Sequence, residues 1–267
     1  MSGEDKSMII RYERNGKIKH GWMVEDENKV RVIEGDIYKV QSAKPIMTGL
    51  ELPLGDVKLL APSAPSKVVC IGVNYRDHAE EMGLELPLEP LMFLKPSTTV
   101  VGPEEPIVYP KLTENLHYEG ELAVVIKKEA KRVTAEDAEE YILGFTCAID
   151  VTARDLQMKD GQWTRGKSFD TFCPLGPAIA AKVDYQNLRI VTRVNGEVRQ
   201  DSNTNQMVFT VPQLVEAVSA VMTLLPGDVI LTGTPPGVGA LQVGDEISVT
   251  IEGIGTLRTR VEAETEA

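Results

Sequence analysis

The stretch His117-Tyr118-Glu119-Gly120-Glu121-Leu122-Ala123-Val124-Val125-Ile126 decides how this chain is read. From Glu121 onward it is an apolar run with the look of a strand, headed by two acids two residues apart. Side chains at i and i+2 on a strand share a face, about 7 Å apart along the chain. Like charges held side by side repel unless something positive sits between them. A second apolar run, Leu143-Gly144-Phe145-Thr146-Cys147-Ala148-Ile149, ends on Asp150, which can bring a third oxygen ligand to the same place. A set made only of carboxylates suits Mg²⁺, Mn²⁺ or Ca²⁺ rather than zinc. An isolated Glu-x-Glu is also at home on a solvated strand face, and the rest of the chain decides between the two readings.

At 267 residues the chain is long enough for one large domain or two small ones around a sizeable core. Its 42% hydrophobic and 25% charged residues are ordinary for a globular protein. A formal net charge of -12 argues against nucleic acid or an anionic membrane as partner, since both call for clustered Lys and Arg. A small anionic substrate then needs local positive charge, which a bound metal ion supplies. Cys70, Cys147 and Cys173 lie in apolar surroundings without a Cys-x-x-Cys pair, so buried thiols in a reducing compartment are expected. The polar start Met1-Ser2-Gly3-Glu4-Asp5-Lys6 lacks the apolar core of a signal peptide, and no apolar stretch reaches the ~20 residues of a membrane span. These features predict a cytoplasmic protein.

Met8-Ile9-Ile10-Arg11-Tyr12, Gly21-Trp22-Met23-Val24 and Lys29-Val30-Arg31-Val32-Ile33 read as short strands, with Asn15-Gly16 as a hairpin signal. Leu60-Ala61-Pro62-Ser63-Ala64-Pro65-Ser66 reads as a linker, which predicts a small β-rich N-terminal domain over 1–65 and a larger domain over 66–267. Beyond it, Lys67–Val73 reads as a buried strand and Tyr75–Met82 as a short helix with Asn74 near its start. Thr134 reads as the N-cap of a helix running toward Tyr141. Val211-Pro212-Gln213 opens another helix, with Val215, Val218, Val221 and Met222 at helical spacing. The remainder is strand and turn, so the class is α+β and mostly β.

Four further stretches carry chemistry. In Asn74-Tyr75-Arg76-Asp77-His78-Ala79-Glu80-Glu81, His78 and Glu81 are three apart on a helix and can touch, while Glu80 faces solvent. A carboxylate beside an imidazole fixes its tautomer and makes it a better base; such a pair also occurs as a plain surface ion pair. After Asp150, Arg154 can serve a substrate or pair with Asp155 or another carboxylate, and Gln157 is an uncharged donor for a carbonyl or oxyanion. Lys167, in Gly166-Lys167-Ser168-Phe169, can neutralise developing negative charge near a metal-bound anion. Thr232-Gly233-Thr234-Pro235-Pro236-Gly237 ends a strand in a Gly/Pro loop whose N–H groups and Thr234 hydroxyl can bind a carboxylate. It is neither a Walker A loop nor a dinucleotide fingerprint.

In this order the pieces Gly72-Val73-Asn74-Tyr75-Arg76-Asp77-His78, Phe93-Leu94-Lys95-Pro96, Tyr118-Glu119-Gly120-Glu121-Leu122, Asp150-Val151-Thr152-Ala153-Arg154-Asp155-Leu156-Gln157, Gly166-Lys167-Ser168-Phe169 and Thr232-Gly233-Thr234-Pro235 resemble the fumarylacetoacetate hydrolase family. The resemblance runs from about Ser66 to the C-terminus and extends to the small acylpyruvase-like members. It implies a mixed β-sandwich roll, a homodimer, and Mg²⁺ or Mn²⁺ held at Glu119, Glu121 and Asp150. It also implies a small anionic 2-oxo or β-diketo acid as substrate, and a lid around His78. His117 is not a ligand in the family pattern.

The chemistry that follows is C–C cleavage through a metal-stabilised enolate, either acylpyruvate hydrolysis or oxaloacetate decarboxylation. His78 and Glu81 would activate water and Lys167 would add positive charge, while Arg154, Gln157 and Thr234 orient the substrate. The alternative within the same resemblance is an isomerase or hydratase of an unsaturated 2-oxo diacid of the 2-hydroxyhepta-2,4-diene-1,7-dioate type. A metal-stabilised binding protein without turnover is a third reading, but it would not need His78, Glu81 and Lys167 beside the acids.

Overall fold

The computed structural model of the chain describes residues 8–24, 27–39 and 46–265. Strand Gly120–Ile126 lies at its centre, with every residue buried. Its alternate side chains feed two different cores. Leu122, Val124 and Ile126 enter the larger one, while Ala123 and Val125 join a smaller one with Val68, Cys70, Ala148, Cys173 and Leu231. A strand covered on both faces has no polar side to show, which is why this run is continuously apolar.

The central strand pairs antiparallel with Ile142–Ile149, setting Gly120 opposite Ile149 and Glu121 opposite Ala148. On its other side lies Val229–Leu231, which runs parallel to Lys67–Gly72, and Leu91–Pro96 follows at the edge. Beyond Ile142–Ile149 come Cys173–Ala180 and then the N-terminal strands Met8–Arg14, Lys17–Val24, Lys29–Glu34 and Ile46–Pro53. The N-terminal strands thus continue the same sheet. A second sheet orders Glu197–Asn203, Arg189–Val194, Glu246–Ile251, Gly255–Ala263 and Ile107–Tyr109. Its Ile190, Val194, Ile247, Val249 and Leu257 complete the larger core, so the fold is α+β and mostly β. No helix among the described residues is long and apolar enough to cross a membrane.

Local signals account for most elements. Asn15 and Gly16, both at positive φ, form the two-residue turn between Arg14 and Lys17. Helix Val211–Val221 opens as expected, with the Thr210 N–H donating to Gln213 Oε1 at 2.9 Å. Residues 135–141 form a 3₁₀ segment instead of an α-helix, and the Thr134 hydroxyl bonds the Asp137 carboxylate at 3.1 Å rather than capping a backbone N–H. The short helix starts at Arg76. Asn74 is a buried staple before it: its side chain donates to Phe209 O and Thr232 O and accepts from Phe209 N.

The stretch Leu60–Ser66 is docked rather than loose. Ala61, Pro62 and Ser63 are buried, and Ser63 Oγ donates to Gly227 O at 2.6 Å. Ser66 N and Oγ both donate to Asp228 Oδ1, at 2.9 and 2.7 Å. Asp228 also accepts from the N–H groups of Lys67 and Leu225 and from the Lys67 ammonium at 2.5 Å. One fully buried carboxylate therefore joins the starts of two parallel strands. Asp228→Ala strands those donors and is expected to cost about 2–4 kcal/mol in urea denaturation.

Candidate metal centre and its cavity

The strand expected to carry Glu119 and Glu121 on one face is broken at Glu119. Leu116–Tyr118 belongs to a small sheet with Thr152–Ala153 and Gly239–Ala240, and the main sheet begins at Gly120. Glu119 stands at the corner, where its carbonyl accepts from Asp150 N at 2.8 Å. That bond pins together the two chain segments that carry acids. His117 stays with the small sheet and does not share a continuous strand with the acids. Its Nε2 lies 2.9 Å from Asn115 Oδ1, and it contributes no atom to the acid cluster.

Glu119, Glu121 and Asp150 are all buried and bring ligand oxygens within 4.8 Å of one another. The next residues inward on the same strand faces are Ala123 and Ala148, and these small side chains leave room for the carboxylates. The chain supplies three cations to them. Lys167 Nζ donates to Glu119 Oε2 at 2.8 Å and to Asp150 Oδ2 at 2.7 Å. Lys95, fully buried, donates to Asp150 Oδ1 and to Val151 O. Arg154 donates to Glu119 Oε1, and to Gln157 Oε1 at 2.7 Å. Arg154 therefore pairs with Glu119 rather than with Asp155, which takes the Thr113 hydroxyl and Glu114 N.

These contacts sort the ionisation states. Burial opposes the Glu119 charge, but Lys167 and Arg154 outweigh it and hold the carboxyl well below the usual carboxylate range. Burial likewise opposes the Lys167 charge, and Asp150 and Glu119 overcome it and raise that ammonium's pKa. Glu121 is different. Burial, then Asp150 and Glu119, push its carboxyl far up, and its one strong partner is the Gly233 N–H at 2.6 Å. No described cation pairs with it. Three clustered carboxylates, one of them lacking a counter-charge, fit a hard divalent cation such as Mg²⁺ or Mn²⁺, with Glu119, Glu121 and Asp150 as its ligands.

All three acids open into a cavity of about 400 Å³. Arg154, Gln157, Lys167, Thr234 and His78 line it as well; of the side chains singled out in the sequence, only Glu81 lies behind the wall. His78 Nδ1 is 3.2 Å from Glu81 Oε2, and the Glu81 carboxylate accepts from Gly237 N at 3.1 and 3.2 Å. A ring donating from Nδ1 to Glu81 keeps Nε2 free as an acceptor. Met82, Leu84, Phe93, Met158 and Trp163 form the outer, apolar part.

The Gly/Pro loop binds carboxylates, but the protein's own: Gly233 N holds Glu121 and Gly237 N holds Glu81. The Thr234 hydroxyl is also committed, donating to Gly120 O at 2.9 Å and accepting from Gln200 Nε2 at 2.8 Å. The Gln157 carboxamide oxygen is taken by Arg154, while its nitrogen has no protein acceptor among the described residues.

Two participants escaped the reading of the sequence. Lys95 has a faint signal, a charge at the end of an apolar strand. Gln200 has none. It is 1% exposed, accepts from Gly120 N at 3.0 Å and donates to Thr234 Oγ1 and Pro235 O. With the bond from Thr234 to Gly120 it closes a ring of hydrogen bonds around the glycine that separates the two glutamates. Any side chain at Gly120 would meet Thr192 Oγ1 at 2.1 Å, so only glycine lets the second sheet approach here.

A mostly-β fold that gathers three buried carboxylates and two buried lysines beside one cavity defines a carboxylate-centred site of the kind that holds a divalent cation. The fumarylacetoacetate (FAA) hydrolase C-terminal description matches residues 67–262, and an Rv2993c-like N-terminal description matches residues 8–62. The chain belongs to the fumarylacetoacetate hydrolase family. It is 50% identical over 223 residues to the mitochondrial oxaloacetate tautomerase FAHD2A of Bos taurus, covering 79% of this chain and 71% of that one. The crystal structure of a 2-hydroxyhepta-2,4-diene-1,7-dioate isomerase from Mycobacterium marinum superposes with a TM-score of 0.89 at 45% identity, covering 97% and 100% of the two chains. A fumarylpyruvate hydrolase from Pseudomonas aeruginosa in complex with Mn²⁺ and pyruvate gives 0.71 at 38% identity, covering 78% and 92%.

Replacing Gln200 with leucine keeps every ligand yet opens the ring around Gly120. Mn²⁺ affinity is expected to fall about tenfold in calorimetric titration, the usual scale for losing a support behind metal ligands. A second expectation concerns pH. The raised Glu121 carboxyl favours the metal-free fold below its ordinary value of 4.5, and that contribution is lost as pH rises through its folded value. Glu119 works in the opposite sense, but its contribution is already complete above the ordinary carboxylate value. Thermal melts should therefore show Mn²⁺ stabilising the protein more as pH rises toward the raised value of Glu121, because less of that carboxyl's proton remains for the metal to displace.

Proposed function

We propose that the protein is a divalent-metal-dependent enzyme that interconverts the keto and enol forms of a small 2-oxo acid of the oxaloacetate kind. The observation that carries this reading is one cavity shared by three carboxylates, Lys167 and a His78 held by Glu81. The 50% identity to an oxaloacetate tautomerase supports it. A bound Mg²⁺ or Mn²⁺ supplies Lewis acidity toward the 2-oxo oxygen.

The remaining roles belong to side chains. His78 Nε2, free because Nδ1 faces Glu81, moves a proton between the carbon next to the 2-oxo group, where the C–H bond breaks, and the 2-oxo oxygen, where the enol O–H forms, and runs the reverse transfer toward the keto form. Lys167, charged and buried, sets fixed positive charge beside the oxygen on which negative charge grows. The unengaged Gln157 nitrogen donates to a substrate oxygen, and Arg154 keeps both Glu119 and Gln157 in place. Thr234 acts through Gly120 and shapes the wall.

A second reading, C–C cleavage by acylpyruvate hydrolysis or oxaloacetate decarboxylation, starts from the same enolate. The apolar outer wall of Met82, Leu84, Phe93, Met158 and Trp163 favours it, because a four-carbon acid leaves that wall uncovered and an acyl tail would fill it.

The test follows oxaloacetate enol absorbance and pyruvate release in parallel with Mg²⁺ or Mn²⁺, and acetylpyruvate loss beside them. Enol–keto interconversion abolished by EDTA and slowed about 10²-fold in His78→Ala is the expected result. Pyruvate formed at the rate of substrate loss would select C–C cleavage instead. Background rates in every assay, with Mn²⁺ still bound, would defeat both readings and turn attention to unsaturated 2-oxo diacids.

A further inference from the structure

The N-terminal sheet carries a cavity of about 210 Å³ that shares no lining residue with the carboxylate cluster. Its walls come from four neighbouring strands and the turn between the first two. Tyr12 stands opposite Lys19 and Arg14 opposite Lys17, so these four side chains lie on one face of the first hairpin. Gly21, two residues after Lys19, faces Val32 on the next strand, and Leu50 and Leu52 complete an apolar floor. The same alternation sends Glu13 and Glu51 to the opposite face, where Glu51 is held by Lys29 and Arg31. Asp56, 3.7 Å from Arg14, is the one described acid that pairs with a cation of this face. Lys17 and Lys19 make no ion pair or hydrogen bond among the described residues.

Tyr12 supplies an independent observation. It is 1% exposed and lines the cavity, and its hydroxyl has no hydrogen-bond partner among the described residues. An orphaned buried hydroxyl is costly and normally finds an acceptor. Burial pushes this phenol up, against the pull of Arg14, so it stays protonated and remains a donor. A chain of net charge -12 that keeps three cations and an unsatisfied donor around one apolar floor has built the pattern that receives an anion.

We propose that this cavity binds a small organic carboxylate with an apolar body, whose carboxylate accepts from the Tyr12 hydroxyl between Arg14, Lys17 and Lys19 while its body rests on Val32, Leu50 and Leu52. The volume is below the ~300–1,000 Å³ of pockets for drug-sized ligands, so the ligand is small. The N-terminal strands would then form a second binding site, separate from the cavity at the acids.

Benzoate is the probe, titrated calorimetrically into the full-length protein at low salt, with inorganic phosphate and benzyl alcohol as controls. Saturable benzoate binding is expected to weaken about fivefold in Tyr12→Phe, the size of one hydrogen bond. The exposed double change Lys17→Gln with Lys19→Gln should weaken it about tenfold at low salt, and added salt should shrink that difference. Tyr12→Phe keeps the ring that packs in the core, and the lysines are exposed, so these variants fold. Absence of benzoate binding, or binding that all variants retain unchanged, would overturn the assignment. Phosphate binding as tightly with the same variant dependence would overturn the apolar half of it, and benzyl alcohol matching benzoate would overturn the anionic half.

Discussion

Burying three carboxylates within 4.8 Å of each other is the constraint on which the rest of this structure depends. Each is desolvated and each repels the other two, so the arrangement stands only where positive charge is built in. Lys167 bridges Glu119 and Asp150, Lys95 holds Asp150 from below, and Arg154 closes on Glu119. Glu119 and Asp150 thus meet three cations from the chain itself, while Glu121 is left to a backbone N–H. A divalent cation added to this set would leave a surplus of positive charge at the cavity, although the chain as a whole is strongly acidic.

The scaffold around the acids follows from the same demand. Ala123 and Ala148, next to the acids, are small members of a smaller core otherwise rich in Ile, Val and Leu. The second sheet closes to contact at Gly120, and Gln200 reaches from it to lock that glycine and Thr234. The loop after Val229–Leu231 spends its amides on Glu121 and Glu81, coupling one acid of the cluster and the partner of His78 to one backbone segment. The helix bearing His78 is held by the side chains of Asp77 and Glu81, while Met82 and Leu84 at its end remain half exposed over the cavity. The acids sit on or beside buried strands, and the imidazole sits on a short helix that buries only Ala79.

What the sequence determined by itself is whatever is written locally. Continuous apolar runs mark strands buried on both faces, Asn15-Gly16 marks a hairpin, and the i,i+3 spacing of His78 and Glu81 on a helix makes them touch. The spacing of Glu119 and Glu121, with Asp150 ending the adjacent strand, foretold the cluster because pairing in register is set by the same alternation. Tertiary structure decided the rest. It broke the strand at Glu119, turned Arg154 from Asp155 to Glu119, and docked the expected linker against Gly227 and Asp228. It also drew Lys95 and Gln200 to the site from 55 and 80 residues away along the chain. Local pattern specifies which way a side chain faces. Which charge or amide it meets there depends on long-range packing, and no single stretch of sequence contains that.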